Sequence, residues 1–231
     1  MVKCGSMNSD LLQQLSEKSI SKEELIKAVE DDFNLLPLVI QGVSSNNPRV
    51  RYGCAGALAT LSAKHPAYLY PHMDFFVNLL DNKRRILVWN AIAALANLCA
   101  VDIHNKFDAV FNKYYVLLMD EYMVTVANVV GNSARIANAK PYLVPKITGK
   151  LLEVERIRIS PHLTEECKRV ITQQAIDSFD QFFDLMSADE KAKVIYFVKK
   201  HSESPRESLK KKANSFLVRR LATWQSLNEK G

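Results

Sequence analysis

The side chains that could do chemistry are present but scattered. The five histidines, His65, His72, His104, His162 and His201, share no metal-binding or triad spacing. Cys4, Cys54, Cys99 and Cys167 form no CxxC pair and no Cys/His cluster, which argues against a zinc or redox centre. Cys54 and Cys99 lie in apolar runs and read as buried free thiols. There is no G-x-S-x-G, no H-E-x-x-H, no phosphate loop and no dinucleotide fingerprint. The acidic runs Glu30-Asp31-Asp32 and Glu165-Glu166 sit near expected helix ends, and carboxylates at a helix N-terminus favour the helix dipole. The chain is read as non-enzymatic, with no catalytic residue, metal or cofactor and no evident small-molecule substrate. Thiols without partners and a start that lacks a secretory apolar region point to the cytoplasm. The longest charge-free stretch, 86–101, contains Asn90 and Asn97 and is short for a membrane span.

Charge offers the other candidate chemistry. Thirty-one Lys and Arg stand against 25 Asp and Glu, and the surplus is uneven: +3 over residues 51–100 and +4 over 201–231. Lys83-Arg84-Arg85, Lys210-Lys211-Lys212 and Arg219-Arg220, with Arg49, Arg51 and Arg135, could make a phosphate track whose binding would weaken steeply with salt. The plainer reading is a solvated, Lys-rich helix surface.

What positions these residues is a repeat. Residues 47–66 align with 83–102 at an offset of 37, matching GALATLS to AALANLC, so that Leu58 meets Leu95 and Leu61 meets Leu98. YLYP at 68–71 recurs as YLVP at 142–145, an offset of 74, twice the first. MVTVANVVGNSARIANAKP (123–141) fits the same slot, with Ile136 falling on Leu61 after one insertion. An apolar first segment precedes each slot, at 35–43, 73–80, 110–122 and 142–154, so each unit is a pair of helices. Asn47-Pro48 supplies a cap and a first-turn proline. Ser21 with Glu24, Ser187 with Glu190, and Ser204 with Glu207 carry the capping-box spacing. The run 86–101 is apolar on nearly every side, as a helix covered by neighbouring repeats must be. Leu209, Ala213, Phe216, Leu217, Leu221, Trp224 and Leu227 form one terminal apolar stripe that predicts a sealing helix. Composition agrees: 231 residues, 48% apolar, and only 7 Gly and 8 Pro, too few turns for a many-stranded β-fold. The expectation is an all-α, right-handed superhelix of paired antiparallel helices. It forms a single domain over 1–231, with an N-terminal helical cap at 8–32, about four repeats over 33–185 and a C-terminal helical cap at 187–231.

RVRYGCAGALATLS and LVWNAIAALANLCA resemble the second-helix signature of the HEAT and armadillo repeat superfamily. The resemblance covers roughly residues 33–185 and implies a scaffold that binds another protein on a concave face lined by second helices. In peptide-binding armadillo proteins, the asparagine of A-L-x-N-L holds the peptide backbone, with a tryptophan four residues earlier. Asn97 matches that asparagine, but Ala93 stands at the tryptophan position and Thr60 and, approximately, Arg135 stand at the neighbouring ladder positions. Asn90, Asn97, Thr60 and Arg135 are therefore the candidate concave-face residues, and Asn97 has the alternative role of bridging helices. The rival function is nucleic-acid binding through the basic edge. HEAT-like alkylpurine DNA glycosylases use groove aromatics and a carboxylate, whereas Trp89 and Trp224 here read as packing residues.

Overall fold

In a computed structural model, residues 5–228 are described, with side chains described for 11–221; Cys4 and the side chains of Trp224 and Leu227 lie outside them. Among the described residues there is no strand, only an isolated bridge between Ser160 and Leu163. The chain packs as two compact units, Met1–Val110 and Phe111–Gly231.

The first unit contains α1 (Gly5–Glu17), α2 (Lys22–Asp31), α3 (Leu36–Gly42), α4 (Pro48–Lys64), the one-turn α5 (Pro66–Leu69), α6 (Met73–Leu79) and α7 (Arg85–Leu98). The boundary falls within α8 (Lys106–Tyr115). The second unit continues with α9 (Met123–Ala139), α10 (Val144–Leu152), α11 (Glu165–Phe182), α12 (Ala188–Lys199) and α13 (Glu207–Asn228).

Local chemistry sets these boundaries. Ser21 Oγ accepts from Glu24 N while Glu24 Oε2 accepts from Ser21 N, and Ser187 with Glu190 closes the same reciprocal box. Asn47 caps α4 by accepting from Arg49 N, with Pro48 in the first turn, where no amide hydrogen is needed. The third expected box does not form. Ser204 Oγ accepts instead from Arg206 N, and α13 begins at Glu207 with its first backbone bond, Lys210 N to Arg206 O. The proline between Ser204 and Arg206 favours a turn at this point and delays the helix.

The repeat is visible as burial. Leu58 and Leu95 are both buried, as are Leu61, Leu98 and Ile136, so equivalent positions do equivalent packing work in α4, α7 and α9. The YLxP copies agree in detail: Tyr68 is 53% exposed and Tyr142 is 55% exposed, while Leu69 and Leu143 are buried beside them. α7 is covered nearly all round, with Leu87, Val88, Ala91, Ile92 and residues 94–98 buried. Of the terminal stripe, Leu209, Ala213 and Phe216 are buried, α13 packing on α11 and α12, while Leu217 and Leu221 are half-buried, and Phe216 meets Phe183 edge-on at 5.4 Å. Burial drives the Cys54 thiol up to about 12, so it stays protonated and inert at neutral pH.

Candidate functional site

Each unit has a run of adjacent long helices, the second helices of the repeats: α4 against α7 in the first, and α9 against α11 and α11 against α13 in the second. The candidate residues are distributed over them unequally.

On the α4–α7 pair, Asn97 is only 7% exposed. Its Nδ2 donates to Ser62 Oγ at 2.8 Å and to Ala59 O at 3.5 Å, tying α7 to α4. A buried amide must be satisfied internally, and this one is, which gives Asn97 its helix-bridging role rather than a place on an open face. Asn90 donates from Nδ2 to Ile86 O at 2.7 Å, and Thr60 Oγ1 donates to Gly56 O at 3.1 Å. Both remain half-exposed and turn hydrogen-bonding capacity back onto their own helices. On α9, the exposed Arg135 donates to Asn132 Oδ1 at 2.8 Å.

Several of the basic residues have partners within their own unit. Arg51 is 8% exposed and donates to the carbonyls of Ser45 and Asn46, holding the turn before α4. Arg49 Nε donates to Leu15 O at the end of α1. The C-terminal cluster meets an acidic row on α11: Lys212 pairs with Asp177 at 2.5 Å, Arg219 with Asp180 at 2.6 Å, and Arg220 with both Asp180 and Asp184. Arg220 also donates to Asp180 O and lies over the Phe183 ring. Lys210 pairs with Glu203 at 2.7 Å. These cations fasten α13 to the repeat before it, and their charge is largely cancelled there. Lys83, Arg84 and Lys211 are exposed, and Arg85 is half-buried.

One open face lies on α9 and α11, and the sequence reading passed over it. A shallow groove of about 440 Å³ is lined by Val124, Ala127, Asn128, Gly131 and Asn132 of α9 and Gln174 of α11, with Met123 at its end. The opposite side of α9 is held in the core by Val126, Val129, Val130 and Ser133, whose hydroxyl meets Tyr115 Oη at 3.1 Å. Ser178 Oγ donates to Val130 O at 2.7 Å and fixes α11 against α9. The groove residues are thus fixed by helices that cannot easily rotate. Asn128 and Asn132 each donate to the carbonyl four residues earlier, and Asn132 Oδ1 accepts from Arg135. The available signal was Asn128 and Asn132 spaced by four, with Gly131 between them, on the side of a helix opposite its valines.

Among the described residues, no cluster of three or more His, Cys, Asp or Glu could hold a metal ion, and no helix is long and apolar enough to cross a membrane.

No protein-family model and no curated protein sequence matches the chain. Solved structures do. A designed armadillo repeat protein is 21% identical, with a TM-score of 0.57 and 94% of each chain covered. Another, solved in complex with the peptide (KR)4, is 18% identical with a TM-score of 0.61, covering 89% of this chain and 90% of that one. Computationally designed armadillo repeat proteins for modular peptide recognition align at 20% identity, a TM-score of 0.58 and 93% of each chain. At these identities the likeness concerns the fold: the chain has an all-α, armadillo/HEAT-like helical-repeat fold.

Proposed function

We propose that the protein is a non-enzymatic helical-repeat scaffold that binds a protein partner through the exposed side of its second helices, without metal or cofactor. The observation that carries this reading is the α9–α11 groove: an open, preformed surface of amides and small residues on helices locked from behind by Ser133 and Ser178. Rigid positioning of hydrogen-bonding groups lowers the ordering cost of capturing a chain segment. The peptide-binding purpose of the designed neighbours supports the same use of the fold. The free thiols Cys54 and Cys167 support work in a reducing compartment such as the cytoplasm.

Nucleic-acid binding is the weaker reading, because Arg219, Arg220 and Lys212 are already paired with Asp177, Asp180 and Asp184. The test is fluorescence anisotropy of peptides selected from a random 12-residue display library, alongside labelled DNA and RNA, at about 50 and 200 mM salt. Peptide binding that persists at the higher salt, with nucleic-acid binding that fades, supports the scaffold. Failure to select any peptide, with nucleic acid held at 200 mM, overturns it.

A further inference from the structure

Ser160 and Ser204 are each followed by proline. A proline there holds the residue before it extended and out of a helix, the shape in which a chain segment enters an enzyme cleft. The structure leaves the two serines in different states. Ser160 is bridged through its backbone to Leu163, and its hydroxyl donates to Glu121 O at 3.2 Å. Ser204 lies in the turn between α12 and α13, half-exposed, with Glu203 and Pro205 exposed on either side. Its Oγ accepts from Arg206 N and donates to nothing among the described residues. The capping box that would have engaged Ser204 with Glu207 does not form, whereas the neighbouring serines are committed: Ser202 Oγ donates to Lys199 O at 2.9 Å and Ser208 Oγ to Gln173 Oε1 at 2.8 Å. Ser204 and Pro205 also line a cavity of about 260 Å³ that has Lys168, Arg169, Lys200 and His201 in its wall. Arg169 pairs with Glu166 and Lys200 with Glu155, each at 3.1 Å, but Lys168 pairs with no carboxylate among the described residues. Two carboxylates share the lining: Glu203 is held by Lys210 at 2.7 Å, and Glu165 is exposed, where solvent and salt screen its repulsion.

From this arrangement we infer that Ser204 is a phosphorylation site for a proline-directed serine kinase, and that the added phosphate is held by Lys168 beside the start of α13. Such a phosphate places covalent control on the last repeat, whichever partner the scaffold binds. In the transfer, Ser204 Oγ attacks the γ-phosphorus of a nucleoside triphosphate bound by the kinase. The new O–P bond replaces the bond to the β-phosphate oxygen, nucleoside diphosphate leaves with that electron pair, and the hydroxyl proton passes to a base of the kinase. The product carries close to two negative charges at neutral pH. They stand three residues ahead of Glu207, the first residue of α13, at the end of the helix dipole that favours anions. Lys168 offers them an ammonium that gives up no other carboxylate in order to bind, and Lys200 and Arg169 add charge from the same wall.

The experiment treats the full chain with a purified proline-directed serine kinase, ATP and magnesium, and locates the phosphate by mass spectrometry of its peptides; thermal melting checks that each variant is folded. Phosphate is expected at Ser204, absent from Ser204→Ala, and added about tenfold or more slowly to Pro205→Ala. Phosphorus NMR then follows the second ionisation of the phosphate. Contact with Lys168 should bring it below its ordinary value of about 6, because a neighbouring cation favours the dianion. Lys168→Gln should return it toward that value, and Lys168→Arg, which keeps the charge, should not. A chain that takes up no phosphate, or takes it up at Ser160 or another serine instead of Ser204, overturns the site. A Ser204 phosphate that ionises alike in the parent and in Lys168→Gln overturns its capture by Lys168.

Discussion

The α4–α7 pair and the α9–α11 pair are both adjacent long helices, joined through α4, α7 and α9 by one repeat register, and they use their outward positions differently. Around α4 the space beside two glycines is taken: a Cβ on Gly53 would meet Leu15 at 3.1 Å, and on Gly42 of α3 it would lie 2.5 Å from Cys54 Sγ, while on Gly56 it would make only an ordinary contact with Lys22 at 3.4 Å. The polar group of this pair, Asn97, is turned inward to Ser62. On α9, Gly131 faces open space and the asparagines face outward. A repeat fixes which positions must be buried. It leaves the outward positions free to be closed off for stability or kept open for contact.

Substitutions can probe this contrast, and the largest effect should be common to both pairs. Leu98→Ala in α7 and Ile136→Ala in α9 each empty a fully buried, equivalent site and should each lower stability by about 2–5 kcal/mol in denaturant melts; a small cost at only one of them would break the shared register. Gly42→Ala must push Cys54 aside and should destabilise by about 1–3 kcal/mol. Asn97→Ala removes the α7–α4 bridge and should cost about 1–2 kcal/mol, whereas Asn128→Ala, on the open face, should change stability by less than about 0.5 kcal/mol. Gly131→Ala has the opposite sign, a gain of about 0.5–1 kcal/mol, and a loss there would mean that the open face is not open.

The smallest effect is confined to the second unit and to mildly acid solution. Burial holds the His201 imidazole below its ordinary pKa, so the unfolded chain takes up this proton first as the pH falls. Stability from this group is therefore intact above the ordinary value of 6.5 and is lost as the pH drops from there toward the lowered folded value. His201→Gln should flatten that part of a stability–pH profile.

The inward half of this contrast was legible in sequence because burial is periodic. GALATLS and AALANLC mark the same buried stripe, and two capping boxes and Asn47-Pro48 mark helix starts that the structure shows. The outward half was not, because nothing periodic constrains it. Asn97 looks like a surface asparagine until Ser62 is brought within 2.8 Å, 35 residues away in the chain. Arg219 and Arg220 look like a basic tail until α11 places Asp180 and Asp184 beneath them. The failed box at Ser204 shows that a spacing of three does not outweigh a proline inside it.

The acidic row on α11 has one more consequence. Asp177, Asp180 and Asp184 follow one another at three and four residues, as successive points along one helix edge, and Lys212, Arg219 and Arg220 read them from α13. Arg219 and Arg220 lie beyond Phe216, the last fully buried residue of the α13 seam among the described residues. The row therefore works as a clasp: it carries the grip of α11 on α13 about one turn past the point where apolar burial stops.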